Sequence, residues 1–315
     1  MRDLRIVFMG TPDFAVGILQ KLVEANKNIV GVVTAPDKPA GRGRKLMKSA
    51  VKEYALSQDL KILQPPNLKN KEFLDELKSL NANLQIIVAF RMLPKLVWAM
   101  PAYGTFNLHA SLLPEYRGAA PINWAIINRE TKTGVTTFFI DEHIDTGEII
   151  AQSEIEIEAS ETFGTLHDKL MDLGSDLVMH TLHLIEQDTI QTQVQSNSSA
   201  SKEAPKLTSE NTRIDWTSKV EDIDAFIRGL SPYPVAWSIL QNSGEEMKVK
   251  IYKATIENEP HTFENGRIFT TKKKMRVAIH GGYLDIQEIQ LPGKKKMEVS
   301  ALLNGYSFHN SAKLL

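Results

Sequence analysis

The side chains of greatest chemical interest are an asparagine and a histidine two residues apart, Asn107 and His109, at the end of an apolar run. In an extended chain, residues at this spacing project to the same side. A neutral amide can stabilise a developing oxyanion while an imidazole moves a proton, and this combination suits acyl transfer. The same pattern is typical of a strand end whose polar side chains hydrogen-bond the following loop, so the pair alone leaves both interpretations open.

A third candidate, Asp145, lies in the polar segment DEHIDTGE at residues 141–148, between two predicted strands. A carboxylate in this position could approach His109 and orient its ring. The alternative is a local Asp-Thr-Gly turn, which the aspartate stabilises by hydrogen bonding to its own backbone.

The elements that would position these side chains alternate along the first half of the chain. Apolar runs rich in Val, Ile and Phe occupy residues 4–9, 29–34, 61–64, 84–90 and 105–108. Helix-like stretches separate them, at residues 13–26, 49–58, 71–80 and 93–99. Because strands buried on both faces read as continuous apolar runs, the pattern predicts an α/β fold with a mostly parallel, Rossmann-like sheet. The first strand lacks the G-x-G-x-x-G sequence of dinucleotide sites, so no nicotinamide cofactor is expected.

The second half of the chain predicts a different architecture. Two further strands and a long amphipathic helix are expected at residues 134–140, 148–157 and 162–186. A stretch rich in Ser, Thr and Gln follows, and short strands with turns fill the rest, which indicates a small OB-like β-barrel. The predicted boundaries are a catalytic domain at residues 1–189, a linker at 190–210 and a C-terminal β-barrel domain at 211–315.

Composition excludes several kinds of chemistry. The chain of 315 residues has no cysteine, which rules out disulfides, thiolate metal ligands and a cysteine nucleophile. No apolar run approaches the roughly 18 to 20 residues needed to cross a bilayer, and the N-terminal residues do not resemble a signal peptide. A cytoplasmic location is therefore expected.

The charges nearly cancel in total, with 37 basic and 38 acidic residues, but they are unevenly distributed. Residues 38–52 hold six basic side chains and no acidic one, and residues 248–315 hold twelve basic against six acidic. Segregation of this kind points to an anionic partner.

Several segments also carry a family resemblance. They are GTPDFAV at residues 10–16, PDKPAGRGRKLM at 36–47, NLHASLLPEYRG at 107–118, GAAPINWAI at 118–126 and the D-x-G turn at 145–147. Together they resemble the folate-dependent formyltransferases. With the linker and the C-terminal domain, the resemblance covers essentially the whole chain.

The resemblance implies an enzyme in which Asn107 holds the formyl oxygen as it becomes an oxyanion, His109 moves protons, and Asp145 orients His109. The implied reaction is attack by the α-amino group of methionyl initiator tRNA on the formyl carbon of 10-formyltetrahydrofolate, for translation initiation. No metal is expected to take part. The protein is expected to be a monomer that does not associate with membranes.

The resemblance further implies which residues contact the folate. They follow His109, end the fourth apolar run or precede the D-x-G turn: Ser111, Leu112, Leu113, Pro114, Phe90, Arg91, Met92, Leu93, Ile140 and Asp141. At Phe90-Arg91-Met92 the sequence departs from the Tyr-Gly-aliphatic pattern that is commoner in the family. Contacts through the backbone are therefore expected there.

Contact with tRNA is implied for two basic segments, a glycine-containing loop and a turn in the C-terminal domain. The residues are Arg42, Arg44, Lys45, Lys272, Lys273 and Lys274. By composition alone, such clusters are more typical of a solvated surface that keeps a protein soluble, and the resemblance reverses that preference.

Two other functions fit the same residues. A formyltransferase acting on an amino-sugar nucleotide would share the catalytic set and the layout, whereas the RGRK loop and the basic C-terminal segment favour tRNA. A noncatalytic RNA-binding protein on the same fold is a more distant alternative. The intact set of Asn107, His109 and Asp145 argues against it.

Overall fold

The computed structural model describes residues 1–40, 45–196 and 201–315. Its chain forms two compact units, and neither is continuous in sequence. The first comprises Met1–Gly118, Thr133–Ile155 and His167–Glu203, and the second comprises Ala119–Lys132, Glu156–Leu166 and Ala204–Leu315. Two segments that precede residues 190–210 in sequence thus belong to the second unit.

Helices and strands alternate along the described residues. The helices are α1 (Asp13–Glu24), α2 (Ala50–Ser57), α3 (Lys71–Ser79), α4 (Lys95–Trp98), α5 (Pro121–Ile127), α6 (Phe163–Gln187), α7 (Val220–Leu230) and α8 (Val299–Leu302). The strands are β1 (Ile6–Gly10), β2 (Ile29–Val33), β3 (Lys38–Ala40), β4 (Lys45–Met47), β5 (Ile62–Leu63), β6 (Leu84–Val88), β7 (Thr105–His109), β8 (Arg117–Gly118), β9 (Lys132–Phe139), β10 (Ile149–Glu156), β11 (Glu203–Ala204), β12 (Ala236–Asn242), β13 (Glu245–Glu257), β14 (Ile268–Thr270), β15 (Met275–Ile279), β16 (Gly282–Gln290), β17 (Met297–Glu298) and β18 (Lys313–Leu314).

The first unit is built on a seven-stranded sheet in the order β10-β9-β7-β6-β1-β2-β5. β1 pairs in parallel with β2 and β6, β2 with β5, and β6 with β7, whereas β9 runs antiparallel to β7. Every residue of β1 and β6 is buried, which explains why both strands read as predominantly apolar runs, with Gln85 as the one polar residue of β6. The predicted α/β, Rossmann-like domain with a mostly parallel sheet is confirmed.

The strand order places a topological switch point beside β1. From β1 the chain moves outward to β2 and β5, and then crosses back to β6 and β7 on the other side. Ligands of open α/β sheets bind at such a point, outside the carboxyl ends of the strands. Gly10 ends β1 there, and a Cβ atom on it would come within 2.6 Å of the Ala15 Cβ. β7 carries Asn107 and His109 at the same edge, next to β6.

Two local elements differ from the sequence prediction. The basic stretch, expected as a flexible loop, contains an antiparallel hairpin in which β3 pairs with β4 on either side of residues 41–44. The helix predicted at residues 93–99 is shorter, because Pro94 is extended and α4 begins after it.

The second unit contains an antiparallel sheet in the order β14-β15-β16-β13-β12-β18, with β17 paired to β16. Its edges meet, since the Ile268 amide donates to the Ala312 carbonyl at 3.0 Å and the Leu314 amide donates to the Gly266 carbonyl at 2.9 Å. Gly266 has a φ of +83°, and a Cβ atom there would lie 2.2 Å from the Leu314 carbonyl oxygen, so this closure requires glycine. The sheet is thus a nearly closed barrel, and the predicted C-terminal β-barrel is confirmed.

Helix α7 packs one face into the hydrophobic core of this second unit. Its buried residues Val220, Ile223, Ile227 and Leu230 recur at the spacing of one helix face. They join inward side chains of β12, β13 and β16 in a single hydrophobic cluster. None of the described helices is both long enough and apolar enough to span a bilayer.

Candidate active site

Asn107 and His109 lie on β7, between β6 and β9. Asn107 is in register with Ile87 and Phe138, and His109 is in register with Thr136. The side chain of Asn107 is partly exposed and forms no hydrogen bond with any residue that the structure describes. Its amide N–H groups are therefore available to a substrate oxygen.

The ring of His109 is held by the backbone. Only 7% of the residue is exposed, and Nε2 lies 2.8 Å from the carbonyl oxygen of Tyr116. A carbonyl oxygen can only accept a hydrogen bond, so Nε2 carries the hydrogen and donates it. Nδ1 is therefore the ring nitrogen that carries no hydrogen in the neutral ring and can accept one.

Asp145 approaches that second nitrogen. Its Oδ2 lies 3.8 Å from Nδ1 of His109, and the side chains are 15% and 7% exposed. The distance exceeds a hydrogen bond, so the carboxylate lies beside the ring without bonding to it directly. Oδ2 also accepts a hydrogen bond of 3.0 Å from the Gly118 amide, which fixes its position. The structure thus places Asp145 beside His109, and Asn107 two residues before His109 on β7, with Tyr116 supplying the bond that orients the ring.

The turn that carries Asp145 is stabilised by a different aspartate. Asp141 Oδ1 accepts hydrogen bonds from the His143 amide and the Thr146 hydroxyl, both at 2.8 Å. The local turn considered for Asp145 is therefore made by Asp141, and the Asp145 carboxylate remains available to the site. Gly147 completes the D-x-G spacing, and a Cβ atom there would lie 1.6 Å from a carbonyl oxygen of β9.

The segment after His109 is bound tightly to β9. Ser111 is fully buried, and its hydroxyl donates to the Glu115 carbonyl at 2.6 Å. The Thr136 hydroxyl donates to the Ser111 carbonyl at 2.7 Å and accepts from the Leu113 amide at 3.1 Å. The hydroxyl and the carbonyl group of Ser111 are thus both hydrogen-bonded within the protein.

The other predicted folate contacts offer apolar surface. Leu93 belongs to a hydrophobic cluster at this end of the sheet, and Phe90 and Ile140 pack against the cluster with part of their surface exposed. Leu112 and Pro114 are also partly exposed. Such surface suits a flat ring that is buried on one side. Across the described ranges, no group of three or more His, Asp or Glu side chains is arranged to hold a metal ion.

Arg91, where the family commonly has glycine, turns toward a neighbouring loop. Its Nη1 donates to the Pro66 carbonyl at 3.0 Å, and its Nη2 donates to the Pro65 carbonyl. Desolvation of the guanidinium lowers the pKa of Arg91. Arg91 and the exposed Met92 help to line an open cleft of about 640 Å³. Because the Arg91 guanidinium binds the Pro65 and Pro66 carbonyls, the expected contacts of residues 90–92 with a ligand would be made by their backbone.

Three supporting residues lay outside the predicted set. Tyr116 and Arg117 belong to the twelve-residue motif, and membership of that motif is the signal that could have identified them. Gln195 lies in the predicted linker, where composition does not distinguish it, yet its side chain donates to the backbone carbonyl of Asp145.

The predicted tRNA contacts fall into two groups. Arg42 and Arg44 lie outside the described residues, as does the side chain of Lys45, whose backbone begins β4.

Lys272, Lys273 and Lys274 form the exposed turn between β14 and β15. The Lys274 ammonium lies 2.9 Å from a Glu257 carboxylate oxygen and 3.6 Å from one of Asp285, and these acids raise the pKa of Lys274. Lys272 and Lys273 have no ion-pair partner within the described chain. Of the three lysines, these two keep a free charge for an anionic partner.

The chain matches two family models in sequence. Residues 4–182 match the family described as formyl transferase, and residues 206–307 match the family described as formyl transferase, C-terminal domain. The first match alone covers more than half of the chain.

Curated relatives match from end to end. The methionyl-tRNA formyltransferase of Flavobacterium johnsoniae is 58% identical over 314 residues, covering 100% of both chains. That of Bacteroides thetaiotaomicron is 50% identical and covers 99% of this chain and 98% of its own.

Solved structures share the fold at lower identity. An N-formyltransferase from Helicobacter canadensis, in complex with folinic acid and dTDP-3-aminofucose, has a TM-score of 0.63 and 21% identity, covering 90% of this chain and 99% of its own. HypX from Aquifex aeolicus with tetrahydrofolic acid has a TM-score of 0.65 and 18% identity, covering 96% of this chain and 47% of its own. From the sheet, the barrel and these matches together, the chain belongs to the formyl transferase family.

Proposed function

We propose that this chain transfers the formyl group of 10-formyltetrahydrofolate to the α-amino group of methionyl initiator tRNA, for translation initiation in the cytoplasm. The observation that carries the proposal is the end-to-end similarity, at 58% identity, to a relative named methionyl-tRNA formyltransferase. The amide, the imidazole and the carboxylate that meet at the end of β7 support it, because they are the groups that formyl transfer needs.

In the proposed reaction the amine nitrogen bonds to the formyl carbon, and the carbonyl electron pair moves onto the formyl oxygen. The amide of Asn107 donates to that oxygen as its negative charge develops. A free α-amino group has a pKa of about 7.7, so a useful fraction is nucleophilic near neutral pH. Positioning the amine and stabilising the tetrahedral intermediate are therefore the harder tasks.

Proton movement then falls to His109. Nδ1 takes the proton that the amine nitrogen loses and gives a proton to N10 of the folate, after which the bond between the carbon and N10 breaks and the formamide forms. The Asp145 carboxylate balances the positive charge of the ring while Nδ1 holds the proton. The hydrogen bond between Nε2 and the Tyr116 carbonyl fixes the orientation of the ring and leaves Nδ1 as the nitrogen that can exchange protons with the substrates.

The donor is assigned to the apolar surface at the switch point. Two neighbours in the fold are complexes with folinic acid and with tetrahydrofolic acid. In this chain the pterin ring would lie against Phe90, Leu93 and Ile140, with Leu112 and Pro114 on the segment that follows His109.

The acceptor is assigned to the basic segments. Lys272 and Lys273, with Arg42, Arg44 and Lys45 of the basic loop, would contact tRNA phosphates. The proposed organisation is a catalytic domain at 1–189, a linker at 190–210 and a tRNA-binding domain at 211–315, in a monomeric protein.

The second candidate function is formylation of an amino-sugar nucleotide. Neighbours in the fold include sugar N-formyltransferases, but their identity of about a fifth supports the fold alone. Relatives at 50 to 58% identity over the whole chain are named methionyl-tRNA formyltransferases, and they favour tRNA.

The deciding experiment offers both acceptors to the purified chain with formyl-labelled 10-formyltetrahydrofolate. Methionyl initiator tRNA is expected to be formylated, and uncharged initiator tRNA and dTDP-3-aminofucose are expected to stay unlabelled. Activity on the sugar alone would overturn the proposal. Absence of transfer to either acceptor at saturating donor would favour the noncatalytic RNA-binding alternative.

A further inference from the structure

The chain that leaves α6 doubles back onto the turn that carries Asp145. Residues 189–196 are named here the return segment. Within it, Gln193 pairs with Ile149, the first residue of β10, through two backbone hydrogen bonds of 2.8 and 2.9 Å. This pairing lays the return segment beside the D-x-G turn and brings the side chain of Gln195 to it.

Gln195 is buried and uses its whole amide at the turn, with only 7% of the residue exposed. Nε2 donates to the carbonyl oxygens of Asp145, at 3.0 Å, and Gly147, at 2.8 Å. Oε1 accepts from the Arg117 guanidinium, at 2.6 Å from Nη2 and 3.2 Å from Nε. Because a buried amide that loses a partner is strongly penalised, a fully bonded one specifies the geometry around it.

Gln195 binds the backbone at Asp145, which has an unfavourable conformation that surrounding contacts must stabilise. Asp145 has a φ of +55°, in the left-handed region that residues other than glycine seldom adopt. Such conformations persist where the surrounding contacts over-determine them. Arg117 directly precedes Gly118, whose amide binds the Asp145 carboxylate. Gln195 therefore joins the two segments that set the position of that carboxylate.

We propose that Gln195 is a positioning residue for formyl transfer, which holds the Asp145 carboxylate toward Nδ1 of His109 and acts on the reaction through Asp145. The inference rests on the proposed function. Loss of the Gln195 amide frees the turn to move toward a commoner φ, and the carboxylate moves with it. A displacement of about 1 Å in such a group can cost up to a hundredfold in rate.

A glutamine that only anchors the return segment would behave differently. Its loss would lower stability or substrate binding, and it would do so whether or not the carboxylate at position 145 is present. A mutant cycle with Asp145→Asn separates the two roles, because two residues that act as one unit have non-additive effects.

The variants are Gln195→Ala, Gln195→Glu and the control Gln193→Ala. Gln193 lies in the same segment with an exposed side chain, and only its backbone takes part in the pairing. Gln195→Glu preserves the size of the side chain and the acceptor for Arg117, but an ionised carboxylate cannot donate to the two carbonyl oxygens. Rates are measured for the full chain with methionyl initiator tRNA and 10-formyltetrahydrofolate.

Gln195→Ala and Gln195→Glu are expected to lower kcat by about tenfold to a hundredfold with KM for either substrate changed less than about twofold. Gln193→Ala should match the wild type. In the Asp145→Asn background, Gln195→Ala should have no further effect on kcat. An equal loss of kcat in both backgrounds, or wild-type kcat in Gln195→Glu, would overturn the inference.

A second measurement, hydrogen exchange, tests the role of Gln195 without any formyl-acceptor substrate. Exchange of the Gly118 amide hydrogen, which is bonded to the Asp145 carboxylate, should quicken about tenfold in Gln195→Ala and stay unchanged in Gln193→Ala. Unchanged exchange in Gln195→Ala would overturn the positioning role. If the wild type does not formylate methionyl-tRNA, the proposed function fails, and the exchange measurement still judges Gln195.

Discussion

His109 and Tyr116 are joined by a hydrogen bond that decides which nitrogen of the imidazole can transfer protons. Nε2 donates to the Tyr116 carbonyl at 2.8 Å, and the donor role is forced because a carbonyl oxygen has no hydrogen to give. In the proposed reaction, proton transfer is therefore assigned to Nδ1, which lies 3.8 Å from Asp145 Oδ2. Since the acceptor is a backbone group, the tautomer is set by the path of the chain rather than by a neighbouring side chain.

Replacement of His109 by alanine should remove proton transfer without disturbing tRNA binding. We expect kcat to fall by about two orders of magnitude or more, because general acid–base catalysis commonly supplies that factor. Affinity for tRNA should stay within about twofold, since only 7% of the residue is exposed. Single-turnover formylation and equilibrium tRNA binding check the two effects. Near-normal turnover would contradict the proposed role.

Asn107→Ala should lower kcat by about a hundredfold to a thousandfold, the usual loss when one oxyanion donor is removed. The thermal midpoint should barely change, because the amide has no hydrogen-bond partner among the described residues. Asn107→Asp, which replaces the donor by a negative acceptor, should be no more active than the alanine variant. Steady-state kinetics with thermal unfolding of each variant measures both effects, and a large loss of stability with normal kcat would refute the assignment.

The lysines of the β14–β15 turn should divide into two classes. Lys272→Ala and Lys273→Ala should each weaken tRNA binding and reduce the slope of log K against log salt concentration by about 0.7 to 0.9 for each phosphate that is no longer neutralised. Lys274→Ala should instead lower the thermal midpoint, because Glu257 and Asp285 lose their shared cation. Titrations of tRNA at several salt concentrations, paired with thermal unfolding, test the division. Equal losses of tRNA affinity in all three variants would contradict it.

Acid should weaken the barrel through Glu257. A hydrogen bond from Lys274, helped by the charge of Arg276, lowers the pKa of Glu257 below its ordinary value. An unfolded glutamate binds its proton near a pH of about 4.3, so just below that pH the unfolded state holds more protons than the folded one. The stabilisation is therefore complete above about pH 4.3 and is lost as the pH falls through the folded pKa.

Glu257→Gln should accordingly flatten the fall of the thermal midpoint below about pH 5, compared with the wild type. Thermal unfolding of the full chain between about pH 3 and pH 7 provides the measurement. If the thermal midpoint of Glu257→Gln falls with pH as steeply as that of the wild type, the Glu257 carboxylate does not cause the loss of stability in acid. Glu245→Gln, an exposed change on the same strand β13, serves as the matched control.

Periodicity predicted the architecture well, since β1 and β6 are buried on both faces and the short C-terminal strands close into a barrel. The N-x-H spacing predicted that Asn107 and His109 share one side of a strand, which β7 provides. The sequence did not predict which aspartate near the D-x-G turn stabilises it and which one faces His109. Both Asp141 and Asp145 could make a local turn, and only the fold shows that Asp141 does so.

The supporting contacts could not be predicted from local patterns. Tyr116 presents its carbonyl to His109 from a φ of +60°, a conformation that its residue type does not favour. Gln195 lies fifty positions from Asp145 in a segment whose composition is that of a linker. Bonds between a side chain and a distant backbone carbonyl follow from the tertiary fold and leave no periodic trace in the sequence.

The hydrogen bond between Leu314 and Gly266 determines when the barrel can close during synthesis of the chain. A ribosome completes the residues of the first unit at Glu203, but the barrel cannot join its edge strands until Leu314 has emerged. Until then both edges of the barrel sheet present unpaired backbone groups, which attract other strands. While residues 204–314 are being translated, these unpaired edges therefore remain open to other strands.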